Sequence, residues 1–256
     1  MPTVNIRDIS LYYEQYGNGE PVVFSHGMLD DCSVWKAHTG TFAQQHIVIL
    51  YDHRGHGRSD KPRGDYSVQT LAGDLNSLIL ELNLDKVTLV GHSLGGMTAL
   101  MFTLDHPDRV SRLVLVSTSA STLVRLPLAG ATTSGLGSLV ACGMFARRTL
   151  GRKLRGSRGR ATDIVPGSDA KVPKHVAHSC MRGLITSYDV RDRLSQIQAP
   201  TLVIAGGRDK DISLRMSRSL HSEIEGSRLE VIPNCGHAPM IEKPVEFSNV
   251  LSAFLA

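Results

Sequence analysis

Apolar positions in this chain fall into short runs, continuous or alternating, separated by longer stretches in which they recur every three or four residues. The short runs occupy residues 3–6, 10–16, 22–25, 47–51, 86–90, 112–117, 202–205 and 228–232 and predict eight strands. The staggered stretches predict helices: Val68, Leu71, Leu75, Leu78 and Leu82 form one apolar stripe, and Leu94, Met97, Leu100, Met101 and Leu104 form another. Strands alternating with helices build an α/β domain, here a mostly parallel sheet with helices on both faces and right-handed crossovers. In such a sheet ligands bind beyond the carboxyl ends of the strands, so chemistry is expected in the loops that follow them.

One stretch, 118–196, does not fit the alternation. Its first part, 126–146, has no charged residue, and the next, 147–160, has seven basic residues and no acidic one. A membrane-spanning helix is not expected there, because Gly130, Thr132, Thr133, Ser134, Gly135, Gly137 and Ser138 make the uncharged part too polar. The basic run sets the sign of the whole chain: taking its seven charges from the net of +4 leaves −3. With no nucleic-acid motif and few aromatic residues, nucleic-acid binding is not expected. The run reads first as a solvated face, with attraction of an anionic substrate, a carrier's phosphate or a membrane surface as the functional alternative.

The 256 residues suffice for one domain, 1–256, burying about three quarters of its unfolded surface. The residues after Met1 lack a basic region followed by an apolar core, so a cytoplasmic protein is expected. Cys32, Cys142, Cys180 and Cys235 are too scattered to form a disulfide framework. His175, His178 and Cys180 lack a second ligand pair for zinc, and Gly55-His56-Gly57 lacks the lysine and hydroxyl of a phosphate loop. The expectation is therefore no metal and no cofactor.

The candidate chemistry centres on Gly91-His92-Ser93-Leu94-Gly95, which joins a predicted strand to a predicted helix. A G-x-S-x-G turn at such a junction exposes the serine hydroxyl over the sheet edge, and only small flanking residues tolerate the close approach. Ser93 is thus the candidate nucleophile. A serine needs a base to take its proton and a carboxylate to orient that base. Asp209 follows the seventh predicted strand and His237 follows the eighth, both in loops at the same sheet edge. Two backbone amides should bind the oxyanion, each worth on the order of 3 kcal/mol. Leu94 and Met28, the latter in the loop after the third predicted strand, are the candidates, their side chains expected to shape an apolar pocket.

Near these motifs, Asp52, Arg54 and Ser59 are expected to brace the glycine-rich turn after the fourth strand. His26 should support the oxyanion loop, and His92 should point inward, away from the site.

Together His26-Gly27-Met28, the segment Asp52-His53-Arg54-Gly55-His56-Gly57-Arg58-Ser59, the Ser93 turn, Gly206-Gly207-Arg208-Asp209 and Asn234-Cys235-Gly236-His237 resemble the α/β-hydrolase superfamily. Within it the chain looks most like small carboxylesterases, enol-lactonases and non-heme haloperoxidase-type hydrolases. Haloalkane dehalogenases and epoxide hydrolases carry an aspartate where this chain has Ser93. The resemblance implies the α/β-hydrolase fold with a helical cap insertion at about 118–196, and it favours Asp209 over its neighbour Asp211 as the triad acid.

The expected activity is cleavage of a carboxylic ester or lactone of a small-molecule acyl substrate through an acyl-enzyme. A thioesterase acting on an acyl-CoA or carrier substrate, a carbon–carbon hydrolase or perhydrolase, and a ligand-binding protein on the same fold are the alternatives. Nothing in the sequence sets the oligomeric state.

Overall fold

A computed structural model describes residues 2–121 and 172–256. The uncharged part 126–146 and the basic run 147–160 lie outside the described residues, as do most of the expected cap and Cys142.

Eight strands form one sheet: β1 (Thr3–Ile6), β2 (Ile9–Tyr16), β3 (Glu20–Ser25), β4 (His46–Tyr51), β5 (Val87–His92), β6 (Val110–Val116), β7 (Thr201–Gly206) and β8 (Arg228–Ile232). Their order is β1-β2-β4-β3-β5-β6-β7-β8. β2 runs antiparallel to β1 and β4, and every other pairing is parallel. Each predicted strand is present with ends shifted by three residues or fewer. The main change is β5, which continues to His92 because that residue still pairs with Val116 of β6.

Seven α-helices are described: α1 (Lys36–Phe42), α2 (Val68–Glu81), α3 (Leu94–Asp105), α4 (Lys174–Ser187), α5 (Leu214–Glu223), α6 (Pro239–Glu242) and α7 (Pro244–Leu255). α2 starts at Ser67, whose hydroxyl accepts the amide of Thr70 at 3.3 Å. Its stripe of Leu71, Leu75, Leu78 and Ile79 is fully buried, each side chain contributing about 1.5–3 kcal/mol.

The central strands β3 to β7 are largely buried on both sides because helices cover both faces. One core cluster joins Val23, Ile49, Leu89 and Leu113 to α2, α3 and α5. The other joins Val22, Phe24, Val90, Val114 and Ile204 to Trp35, Phe42 of α1 and Phe247 and Leu251 of α7. None of the described helices is long and apolar enough to cross a membrane.

Registry sets the site. Ser25 pairs with Gly91, His92 with Val116, Val116 with Ile204, and Gly206 with Ile232, so the carboxyl ends of β3, β5, β7 and β8 are level. The loops carrying Met28, Ser93, Asp209 and His237 therefore leave the sheet along one edge.

At the ends of the 118–196 stretch, Ser121 bridges to Asp189 and the Val190 amide donates to the Ala120 carbonyl at 2.8 Å. α4 lies across the loop before α2: Val176 is buried, and the Ser179 hydroxyl donates to the Gly64 carbonyl at 2.9 Å.

Candidate active site

Ser93 stands between β5 and α3 with φ 51° and ψ −114°, a conformation that L-residues rarely adopt. Two bonds hold it there: its amide donates to the Val116 carbonyl at 3.0 Å, and the Thr118 hydroxyl donates to its own carbonyl at 2.7 Å. The small neighbours are required by contact. A methyl group on Gly95 would run into the carbonyls of Ser25 and His26, and one on Gly96 would meet the Thr118 side chain at 2.6 Å. The turn is thus pressed against the start of the loop that carries Met28. Leu94 is the first residue of α3, so its amide has no acceptor within the helix.

The Met28 loop is braced from below. The His26 ring donates from Nδ1 to the Gly27 carbonyl at 2.8 Å and accepts the His53 amide at Nε2 at 3.0 Å. Leu29, next to Met28, has φ 65°. The side chains of Met28 and Leu94 are buried in the core cluster shared with α2 and α3.

The turn after β4 is held as its sequence suggests. Asp52 accepts the amides of Cys32 at 2.7 Å and Arg58 at 2.8 Å, and the Ser59 hydroxyl donates to the Asp52 carbonyl at 2.6 Å. Arg54 makes a buried ion pair with Asp74 and reaches Asp8 at 3.0 Å.

The loops after β7 and β8 meet directly. Arg208 donates its amide to the Cys235 carbonyl at 2.7 Å, and Gly207 donates to Ile232 at 2.9 Å. His237 then donates from Nδ1 to Oδ2 of Asp209 at 2.8 Å, which leaves Nε2 as the ring's proton acceptor. The other oxygen of Asp209 accepts the amides of Asp211 at 2.8 Å and Ile212 at 3.1 Å. Burial opposes ionisation of Asp209, but the hydrogen bond and charge of His237 and the two amides outweigh it and hold the carboxyl below its ordinary value. Exposure falls along the pair, from 12% for the His237 side chain to 1% for Asp209. The carboxylate is sealed while the imidazole stays within reach of solvent.

Among the described residues, the ligand atoms of Asp209, Asp211 and His237 lie within 4.8 Å of one another. Both Asp209 oxygens accept hydrogen bonds, one from the ring N–H and the other from two amides. His175 donates from Nε2 to the Lys61 carbonyl at 3.3 Å, and Cys180 is buried.

Two residues gain parts that the sequence did not suggest. Glu242 accepts the amides of Gly236 at 2.8 Å and Ala238 at 3.0 Å, gripping the backbone on both sides of His237. A capping carboxylate six residues after Gly236 was the only local hint. His92 is buried as expected, yet its ring lies against that of His237, with centroids 4.9 Å apart. Strand alternation puts His92 on the same face as Val90, and the loop after β8 lies on that face, where Cys235 is buried with Trp35.

A family profile described as alpha/beta hydrolase fold matches residues 20–133. An uncharacterized protein of Mycobacterium tuberculosis is 30% identical over 286 residues, covering 99% of this chain and 81% of its own. The 3-oxoadipate enol-lactonase 2 of Acinetobacter baylyi is 26% identical over 270 residues, covering 99% and 96%. Among solved structures, Est816, described as an N-acyl homoserine lactone degrading enzyme, superposes with a TM-score of 0.81 at 34% identity, over 99% of this chain and 100% of its own.

Proposed function

The chain belongs to the α/β-hydrolase fold family as an ester-acting hydrolase, and from that premise we propose that it opens a lactone or cleaves a carboxylic ester through an acyl-enzyme on Ser93. The observation that carries this reading is the Asp209–His237 hydrogen bond of 2.8 Å at the same sheet edge as a serine held at φ 51°. In the reading, Nε2 of His237 takes the Ser93 proton as Oγ attacks the carbonyl. The amides of Met28 and Leu94 bind the oxyanion of the tetrahedral intermediate. His237 then returns the proton to the leaving oxygen as the C–O bond breaks, and water repeats the cycle to free the acid. In a lactone the leaving oxygen remains on the acyl chain, so a single hydroxy acid is released. Asp209 stays ionised throughout and stabilises the imidazolium.

Two relatives support a lactone or small ester as the substrate class, since one is named an enol-lactonase and another is described as degrading acyl homoserine lactones. The stretch 118–196 is read as the cap that shapes the acyl pocket, and the Ser121–Asp189 bridge that ties its ends fits that role.

The experiment is hydrolysis of p-nitrophenyl esters of increasing acyl length, a matched set of lactones, and the corresponding acyl-CoA thioesters, by wild type and Ser93→Ala. Ester or lactone turnover that vanishes in folded Ser93→Ala supports the reading. Undiminished turnover in the variant overturns it, and a preference for the thioesters moves the assignment to a thioesterase.

A further inference from the structure

We propose that His92 is a positioning residue for the base, its ring tying the backbone of His237 to the strand that carries Ser93 so that base and nucleophile keep one fixed spacing. The proposal rests on the reading of Ser93 and His237 as nucleophile and base. Its observation is a hydrogen bond of 2.8 Å from Nε2 of His92 to the carbonyl of His237, spanning 145 residues of chain. His92 is covalently joined to Ser93, so this bond links the serine turn directly to the His237 loop.

The ring has no freedom to do otherwise. A carbonyl only accepts, so Nε2 must keep its proton, and Nδ1 is left a bare acceptor. That Nδ1 is buried, without a hydrogen-bond partner among the described atoms. It packs on the Met28 loop, where a methyl group added to Gly27 would come within 2.8 Å of it. The ring of Trp35 stands edge-on at 6.5 Å on the same face. One imidazole is therefore wedged between the Met28 loop, the serine turn and the His237 loop.

Charge favours the same role. Burial, with the neighbouring His237 adding to it, pushes the His92 imidazole down to about 3, while Asp30, Asp209 and the bond to the His237 carbonyl act weakly the other way. His92 stays neutral while His237 cycles through its charged form, so it neither competes for the serine proton nor repels the imidazolium. The other restraints on His237 act elsewhere: Asp209 on its ring, Glu242 on the amides at 236 and 238. Among the described residues, His92 holds its carbonyl from the serine strand.

The test compares wild type, His92→Leu and His92→Gln by two readings. One is kcat and KM on a p-nitrophenyl ester. The other is the downfield proton NMR signal of the His237 Nδ1–H, which needs no turnover. Leucine fills the space but cannot donate, and should lower kcat about 10–100-fold with KM little changed, while shifting or broadening the signal. Glutamine, whose amide nitrogen reaches as far as Nε2, should recover most of both. Wild-type kcat with an unmoved signal in His92→Leu, or a glutamine variant no better than leucine, overturns the proposal. If the variants do not fold, nitrogen-15 titration of the wild-type histidines decides: a neutral His92 carrying its proton on Nε2 from about pH 5 to 8 supports it, and the other tautomer or a charged ring overturns it. Turnover that survives Ser93→Ala refutes the acyl-enzyme reading and with it the spacing to a nucleophile, while the NMR comparison still shows separately whether His92 positions the His237 ring.

Discussion

Nδ1 of His237 and Oδ2 of Asp209 lie 2.8 Å apart, and the remaining oxygen of that carboxylate faces two backbone amides. All the near partners are donors, so the site requires an acceptor on both oxygens. Asp209→Asn places an NH2 against either a ring N–H or two amides, and the imidazole relieves the clash by moving its proton to Nε2, where it can no longer act as a base. The expected result is a folded protein with kcat lowered by about 10³–10⁴. Asp211, which donates its amide to Asp209, should tolerate Asp211→Asn with turnover within a few-fold of wild type. Circular dichroism and kcat on both variants check the pair, and a larger loss at Asp211 would reverse the assignment of the acid.

Glu242 should matter more than its distance in sequence suggests. Glu242→Gln keeps the shape but offers one acceptor oxygen to two amides, so Gly236 or Ala238 loses its partner, a cost of about 1–3 kcal/mol. The His237 loop loosens, and kcat is expected to drop about tenfold at nearly constant KM. Urea denaturation and steady-state kinetics read the two effects separately.

Two glycines should respond oppositely to alanine. Gly95→Ala drives a methyl group into the carbonyls of Ser25 and His26 and should cost more than about 2 kcal/mol, displacing the serine turn. Gly40 lies inside α1 with nothing within 4 Å of an added methyl. Gly40→Ala should stabilise by about 0.5–1 kcal/mol through helix propensity, a rise in Tm of about 1–4 °C. Thermal melts of both variants test the packing directly.

Acid should unfold the protein through its buried histidines. Burial pushes His56 and His92 down to about 3, His53 well below its ordinary value, and His38 down as well. In the unfolded chain each takes up a proton near pH 6.5, whereas in the folded chain uptake is pushed to lower pH, so below that pH the unfolded state binds more protons and stability falls. His53, His56 and His92 alone give a slope of roughly 4 kcal/mol per pH unit as pH drops from about 6 towards 4. Asp209 and Glu14, whose carboxyls are held low, release their stabilisation only as pH falls further, through their folded values. Urea midpoints measured at intervals between pH 7.5 and 5 should decline steeply, and a flat profile would contradict this account.

The strands and the motif order were legible in the sequence because each depends on neighbours only a few residues away. An apolar run such as 86–90 needs burial on both faces wherever it lies, and glycines beside Ser93 announce a close approach whatever they approach. Candidates for the acid and base could also be named, since loops that follow parallel strands leave at one edge, though the choice of Asp209 over Asp211 came from the family resemblance. Tertiary structure alone decided what those loops do to one another. That β4 lies between β2 and β3, that Arg54 finds Asp74, that Glu242 grips both sides of His237, and that His92 turns its ring to the His237 carbonyl are consequences of how crossovers stack distant segments. The polar partners involved stand from 4 to 145 residues apart, and a donor and an acceptor at such separations leave no periodicity in the chain. Their pairing is set by which buried polar groups burial would otherwise strand, a constraint that exists only once the layers have closed.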